Sequence, residues 1–434
     1  MDKMADVLGR AGAWCGQNKY LSAIKNAFQN FMPLTIAGAI GVLWCNVLVN
    51  ESTGLGIFFK PIMALDFLNP AFQAVNFCTI SCITVGITLG IAQEIGVWNM
   101  GAERAGYIPG LVGLAAWLSV TNTSHMVEGA KEAFTGIAGN ELGATGLFTG
   151  MIIGVLSVEL FCFFEKQDAL KIKMPEQVPP GVARAFEVLV PATITLIITA
   201  CIGSACYNLT GLYLNDVIKN GIQGPLGAVG ATIPGVMIIY LVIMLFWLVG
   251  IHGNNMLSAV KEALFTPLAL ENVEKFNKGE KPTNIINMYF LQMCGEFGGS
   301  GVTIGLVIAI MIFGKREDNK AIATLSLVPG LFNINETVTF GIPMVLNPIL
   351  GIPFVFACLV TILVGYVLTV IGFCPVACLT VPWTTPPIVF GFLACGANVM
   401  GAVTQAILIV VSTVIYTPFL ISYEKYQNKQ AAEA

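Results

Sequence analysis

The run Thr337–Tyr423, TVTFGIPMVLNPILGIPFVFACLVTILVGYVLTVIGFCPVACLTVPWTTPPIVFGFLACGANVMGAVTQAILIVVSTVIYTPFLISY, contains no Asp, Glu, Lys, Arg or His. A helix crosses a bilayer core with about 20 residues, so this run holds about three spans. Its Pro and Gly clusters mark the breaks between them. Further apolar runs lead back toward the N-terminus: Phe31–Val49, Ala71–Ala92, Ala105–Val120, Leu142–Cys162, Val188–Tyr207, Leu226–Ile251 and Gly301–Gly314. Across the 434 residues 56% are hydrophobic and 11% charged, against about 25% charged in a soluble domain. These features specify an all-α integral membrane protein with about ten transmembrane helices.

Composition also excludes function classes. The net charge of −4 and the lack of a Lys/Arg cluster leave no nucleic-acid partner to expect. The 12 cysteines, among them Cys45, Cys78, Cys82 and Cys162, are scattered through apolar segments without a C-x-x-C pair or a His cluster, so no metal, cofactor or disulfide framework is expected. No H-E-x-x-H or paired intramembrane aspartates suggest an intramembrane enzyme. Met4–Asn30 reads as an interfacial amphipathic helix leading into the first span, and nothing before it resembles a cleaved signal peptide.

Basic residues orient the chain. Lys3, Arg10, Lys19 and Lys25 precede the first span while the next loop carries only Lys60, which places the N-terminus in the cytoplasm. Counting spans onward, the loop Glu165–Glu187 (Lys166, Lys171, Lys173, Arg184) and the loop Asn254–Asn287 (Lys261, Lys275, Lys278, Lys281) fall on the same side. The basic segment Gly314–Lys320 breaks this parity. Two solutions remain: a hairpin whose tip is the glycine-dense Gly295–Gly301, or one tilted span followed by a basic outer loop. The loop Lys166–Arg184, with Met174–Gly181 inside it, is the longest polar, Pro-bearing stretch of the first half, so an internal boundary belongs between about 180 and 225.

A carboxylate at membrane depth costs about 2.5–3.5 kcal/mol on insertion scales and needs a purpose. Glu336 sits in Asn333-Ile334-Asn335-Glu336-Thr337, just after Pro329-Gly330 and before the long apolar run, which reads as a broken helix lining a polar cavity. Asn333 and Asn335 add donors and acceptors beside the acid, a mix suited to hydroxyl-rich ligands; the bland alternative is a buried structural acid. His252 closes an apolar span in Gly250-Ile251-His252-Gly253-Asn254-Asn255, where a neutral ring both donates and accepts, and Asn254 would extend the polar lining. Trp383 lies in a proline-broken stretch and is either a sugar-stacking ring or an interfacial belt residue. Glu159, near a span end, and His125, in an outer loop, read as structural, while Glu296 at the glycine tip either shapes the cavity or faces solvent.

With these residues placed, the chain resembles the IIC membrane component of the bacterial phosphoenolpyruvate-dependent phosphotransferase system, lactose/cellobiose (diacetylchitobiose) family. The resemblance runs through Ala23–Phe28 with Met32-Pro33-Leu34, Val178-Pro179-Pro180, Gly250-Ile251-His252-Gly253 and Asn333–Gly341, in order. It implies a multi-pass bacterial cell membrane protein, a homodimer, and two re-entrant hairpins. The implied organisation is an interfacial helix over residues 1–25, an interface or scaffold domain of five spans over 26–210, a linker over 211–225, a substrate-binding transport domain over 226–424 and a cytoplasmic tail over 425–434. It implies that His252 and Glu336 serve the reaction and that the substrate is a disaccharide. The implied mechanism is group translocation, with a phosphocysteine on a separate EIIB protein, recharged by EIIA, as donor; the polar segments of this chain are too short to build either soluble domain. An ion-coupled transporter that delivers unmodified sugar is the alternative, with Glu336 as its proton site.

Overall fold

The computed structural model describes residues 10, 14, 17–51, 56, 59–125, 134–175, 177–225, 230–342, 344–345 and 347–433. Most of these are helical, and the one sheet among them pairs Ser124–His125 with Phe134–Thr135. Five helices are long and apolar enough to cross a membrane, two more candidates are bent pairs, and two further apolar helices are shorter. The chain divides into two compact units, one combining Gln17–Gly38 with Ala74–Gly227 and the other combining Ala39–Gln73 with Ala228–Ala434. The division falls just beyond the 211–225 segment expected to join two domains, but residues 39–73 group with the second half.

In the first unit the part of α1 (Lys19–Leu43) up to Gly38 joins a bundle of α2 (Ile83–Met100), α3 (Ile108–Val120), α4 (Ala144–Glu165) and α5 (Pro180–Thr210), with Asn26 donating to Glu94 on α2 at 2.9 Å. The expected interfacial helix over 1–25 lies mostly outside the described residues, and from Lys19 onward its sequence belongs to α1. Small residues bring the helices together: a Cβ at Gly113 would lie 2.3 Å from the Cβ of Ala92, and one at Gly150 would lie 2.2 Å from Thr88 Oγ1. Such close approach replaces the hydrophobic drive that helices lack inside lipid. Hydroxyls are absorbed by their own helices, as where Thr195 donates to Pro191 O at 2.8 Å beside the proline that removes a backbone donor. The 211–225 segment is not an extended linker: it forms helical turns over Leu214–Ile218 and Lys219–Gln223, and Asn215 Oδ1 accepts from Thr149 on α4 at 2.7 Å.

Charges collect at one end of this bundle. Glu165 Oε1 takes Arg104 Nε at 2.8 Å and Arg184 Nη1 at 2.9 Å, and both arginines also reach Glu187. Glu159 pairs with Lys19 at 2.6 Å, in keeping with a structural role.

In the second unit the chain runs α6 (Ile233–Leu248), α7 (Ser258–Asn277), α8 (Met288–Gly295), α9 (Ile304–Phe313), α10 (Glu317–Leu331), α11 (Glu336–Gly341), α12 (Gly351–Val370), α13 (Val389–Ala394) and α14 (Val399–Glu433). The Gly295–Gly301 segment is a break, as expected, and the helices on either side of it are bent by 59°. Gly298, Gly299 and Gly301 all carry positive φ there. One sequence expectation needs correction. Asn254–Asn287 is mostly helix rather than loop, and its Lys261 is buried at 6% exposure, so it does not count among loop charges that set orientation. Within the basic Gly314–Lys320 segment α10 starts at Glu317, with Glu317 and Asp318 in its first turn, where the helix dipole favours acids. The tail continues α14 to Glu433.

The charge cluster of the first unit supplies a test. Glu165→Ala leaves two arginines without their shared, nearly buried carboxylate, although Arg104 is 47% exposed and partly screened. It should lower stability by about 1–3 kcal/mol in detergent unfolding of the purified protein, whereas Glu187→Ala, at the more exposed acid, should lower it less.

Candidate functional site

The second unit brings its two sequence-selected ionisable groups together across the chain. After α6 the backbone turns at Gly250, whose φ is +83°, and His252 caps the single helical turn Gly253–Met256. Its Nδ1 accepts the Asn255 backbone N–H at 3.3 Å. An accepting Nδ1 leaves the proton of the neutral ring on Nε2. The ring packs on the buried Trp247, with centroids 4.4 Å apart and planes at 48°.

Opposite lies Glu336, the first residue of α11. The preceding helix ends at Leu331, and Asn333 takes up a left-handed conformation, φ +63°, which asparagine tolerates better than most side chains. The Nε2 of His252 and the Oε1 of Glu336 are 3.9 Å apart, with the two side chains 37% and 48% exposed. That separation is too long for a direct hydrogen bond. A hydroxyl oxygen about 2.8 Å from each atom would bridge them.

The asparagines do different work from the pair they surround. Asn333 Oδ1 accepts from Gly298 N at 2.6 Å, and its Nδ2 donates to Trp383 O and, at 3.1 Å, to Thr385 O. Asn335, buried, donates from Nδ2 to Ser300 O at 2.8 Å. Both side-chain N–H₂ groups are engaged with the protein, so these residues clamp the glycine break and the 383–385 segment to the Glu336 turn. Asn254 Nδ2 donates to Ser300 Oγ at 2.9 Å. Trp383 joins the site through its carbonyl, and the residue is 44% exposed. The His125 ring lies in the first unit, tilted against Phe134.

Three side chains were missed by sequence reasoning. Trp247 supports the His252 ring from the preceding helix, a pairing that a spacing of five residues across a turn does not announce. Lys261 forms an ion pair with Glu296, and Tyr240 donates to the same carboxylate oxygen at 2.7 Å. Glu296 is thereby a half-buried, paired acid, its side chain 19% exposed. The available signal was Lys261 itself, a cation next to Glu262 in a stretch, Leu257–Phe265, whose other residues apart from Ser258 are apolar.

Close packing behind the site is testable. Gly299 has φ +89°, and a Cβ there would lie 2.5 Å from the Cβ of Asn335. Gly299→Ala should therefore destabilise by at least about 1–3 kcal/mol from backbone strain and should weaken ligand binding through displacement of the Glu336 turn, measured by thermal unfolding and equilibrium binding on one preparation.

The sequence and the fold have counterparts in known proteins. Residues 25–358 match the family "Phosphotransferase system, EIIC". The "PTS system oligo-beta-mannoside-specific EIIC component" of Bacillus subtilis (strain 168) is 33% identical over 98% of this chain and 94% of its own length. The "PTS system lactose-specific EIICB component" of Streptococcus mutans is 27% identical over 96% of this chain and 71% of its own length. Among solved structures, the transporter ChbC, described as the IIC component from the N,N'-diacetylchitobiose-specific phosphotransferase system, matches with a TM-score of 0.88 at 29% identity, covering 97% of each chain. With most of its length matched by the family and a relative one-third identical end to end, this chain belongs to the EIIC family of phosphotransferase-system membrane components.

Proposed function

We propose that the chain is the sugar permease subunit of a phosphotransferase system, that it binds a β-linked disaccharide of the cellobiose, diacetylchitobiose or lactose type, and that it presents the sugar to a phosphorylated EIIB protein. The observation that carries this reading is the 3.9 Å gap between His252 Nε2 and Glu336 Oε1, both partly exposed and both set on helix breaks. The names of the similar proteins, oligo-beta-mannoside, lactose and diacetylchitobiose, support the substrate class.

One sugar hydroxyl spans the gap. His252 donates its Nε2–H to the hydroxyl oxygen and fixes its direction, while Glu336 accepts the hydroxyl proton. As the proton moves to Glu336, the oxygen attacks the phosphorus held on the cysteine of EIIB. The new P–O bond forms as the S–P bond breaks, and the thiolate remains on EIIB. Phosphoryl transfer depends chiefly on positioning and charge stabilisation, so the permease contributes alignment and a proton acceptor while EIIB contributes the phosphoryl group. Trp383 covers a sugar ring face, and the Asn254, Asn333 and Asn335 framework holds the lining in place.

The same reading assigns residues 26–210 as scaffold and 226–424 as the sugar-carrying part of a homodimer. It places the N-terminus on the cytoplasmic side, supported by Lys19, Lys25 and the Arg104, Lys166 and Arg184 region. The joined EIICB naming of the lactose-specific relative supports EIIB as the direct partner. EIIA acts through EIIB.

Vesicles holding the purified chain, offered a panel of β-linked disaccharides with phosphorylated EIIB supplied or withheld, test the proposal. Sugar phosphate is expected only with the partner present. Free sugar accumulating on a proton gradient without it would establish the ion-coupled alternative instead. Glu336→Gln should slow phosphorylation by about 10²–10⁴-fold, the range of a lost general base, with a much smaller change in sugar affinity; an unchanged rate removes Glu336 from the proton transfer.

A further inference from the structure

We infer that Lys261 is a positioning residue, which holds the His252 turn in register with Glu336 through an unbroken chain of buried and half-buried polar contacts. The inference rests on the permease reading above. The chain starts on α6, where Tyr240 Oη donates to Glu296 Oε1 at 2.7 Å, and the Lys261 ammonium shares that oxygen. Lys261 Nζ also donates to Asn254 Oδ1 at 3.3 Å. Asn254 Nδ2 donates to Ser300 Oγ at 2.9 Å, and the carbonyl of Ser300 accepts Asn335 Nδ2 at 2.8 Å. Asn254 is two residues from His252, and Asn335 is the neighbour of Glu336. One end of the chain therefore seats the histidine and the other seats the acid.

Charge and hydrogen-bonding capacity explain why a lysine stands at its centre. An amide side chain is nearly symmetric in shape and can flip, so its two ends are told apart only by their partners. An ammonium can only donate, so it must face Asn254 Oδ1, and Nδ2 is thereby aimed at Ser300. Lys261 is 6% exposed, Tyr240 fully buried, and Ser300 and Asn335 each 4% exposed, while Asn254 and Glu296 are half-buried, so water has restricted access to these bonds. A buried lysine is costly unless it is paired, and Glu296 pairs it. The backbone nearby has no slack: a Cβ at Gly253 would lie 2.0 Å from Ile243 O. A small rotation of the Asn254 amide thus has nowhere to dissipate except into the His252 turn.

Membership of this chain predicts something that mere structural pairing does not. Removing both charges together should restore stability without restoring the site. Lys261→Met alone strands the Glu296 carboxylate and should lower the melting temperature and weaken disaccharide binding. The double variant Lys261→Met/Glu296→Gln should melt close to the unmodified protein yet bind the disaccharide at least about tenfold more weakly, the effect of one lost buried hydrogen bond, with phosphorylation slowed in proportion. Ser300→Ala cuts the chain at a later link while leaving the ion pair intact, and it too should weaken binding. Binding at the unmodified level by the double variant overturns the inference. Should the double variant not fold, unchanged binding by Ser300→Ala overturns it equally. The unmodified chain measured alongside keeps the two claims apart: if it binds none of the disaccharide panel, the permease reading fails and takes this inference with it, whereas equal binding by all proteins removes only the role of Lys261.

Discussion

The constraint on which this structure rests is that a backbone N–H or C=O inside hydrocarbon needs a partner within the protein. The glycine break at Gly298–Gly301 interrupts a helix where water is scarce, and its carbonyls would be stranded if the neighbouring helix were purely apolar. It is not: Ser412 Oγ donates to Val302 O and Tyr416 Oη to Gly301 O, each at 2.8 Å, from buried positions on α14. Gln405, about two turns before Ser412 on α14, accepts the Ile388 and Gly391 amides at 2.7 Å and donates to Met293 O at 3.1 Å. On the far side Asn272 and Asn287 each donate to Ala377 O at 3.1 Å, holding the segment after α12. These buried amides and hydroxyls make broken helices stable, and the breaks make a polar site available at membrane depth.

Once breaks are tolerated, the site divides its labour. Asparagine supplies geometry, since it accepts left-handed backbone at position 333 and can bond backbone in two directions. Histidine and glutamate keep their reactive atoms uncommitted and partly exposed, facing one another across a gap of one oxygen. Aromatic packing by Trp247 and capping by the Asn255 amide lock the imidazole in one orientation. A group that must hand a proton to or from substrate gains from such pre-organisation, because little remains to be ordered when substrate arrives.

The legible parts of the fold were those governed by composition and local rules. Apolar runs reported helices at Leu142–Cys162, Val188–Tyr207 and the tract after Glu336, because hydrocarbon admits little else over such lengths. Glycine clustering reported the break at 295–301. Polar segments misled: Asn254–Asn287 looked like a charged loop, yet Lys261 turns inward, and the charge tally counted it as though it faced water. Residues 211–225 looked like a linker, yet Asn215 is anchored on α4. In both cases a residue type common on surfaces is buried by a partner far away in sequence, Glu296 or Thr149, which no local pattern contains.

By itself the sequence determined that this chain is a membrane protein of many helices, that some of those helices are broken, and that His252 and Glu336 stand where ionisable groups are expensive enough to need a purpose. Those conclusions follow from transfer energies and backbone preferences that act residue by residue. Only the tertiary structure decided that the two meet at 3.9 Å, that Asn333 and Asn335 spend their donors on the framework, and that Lys261 belongs beneath the site. Those facts depend on pairings between segments tens of residues apart, set by which donor finds which acceptor once the helices have packed.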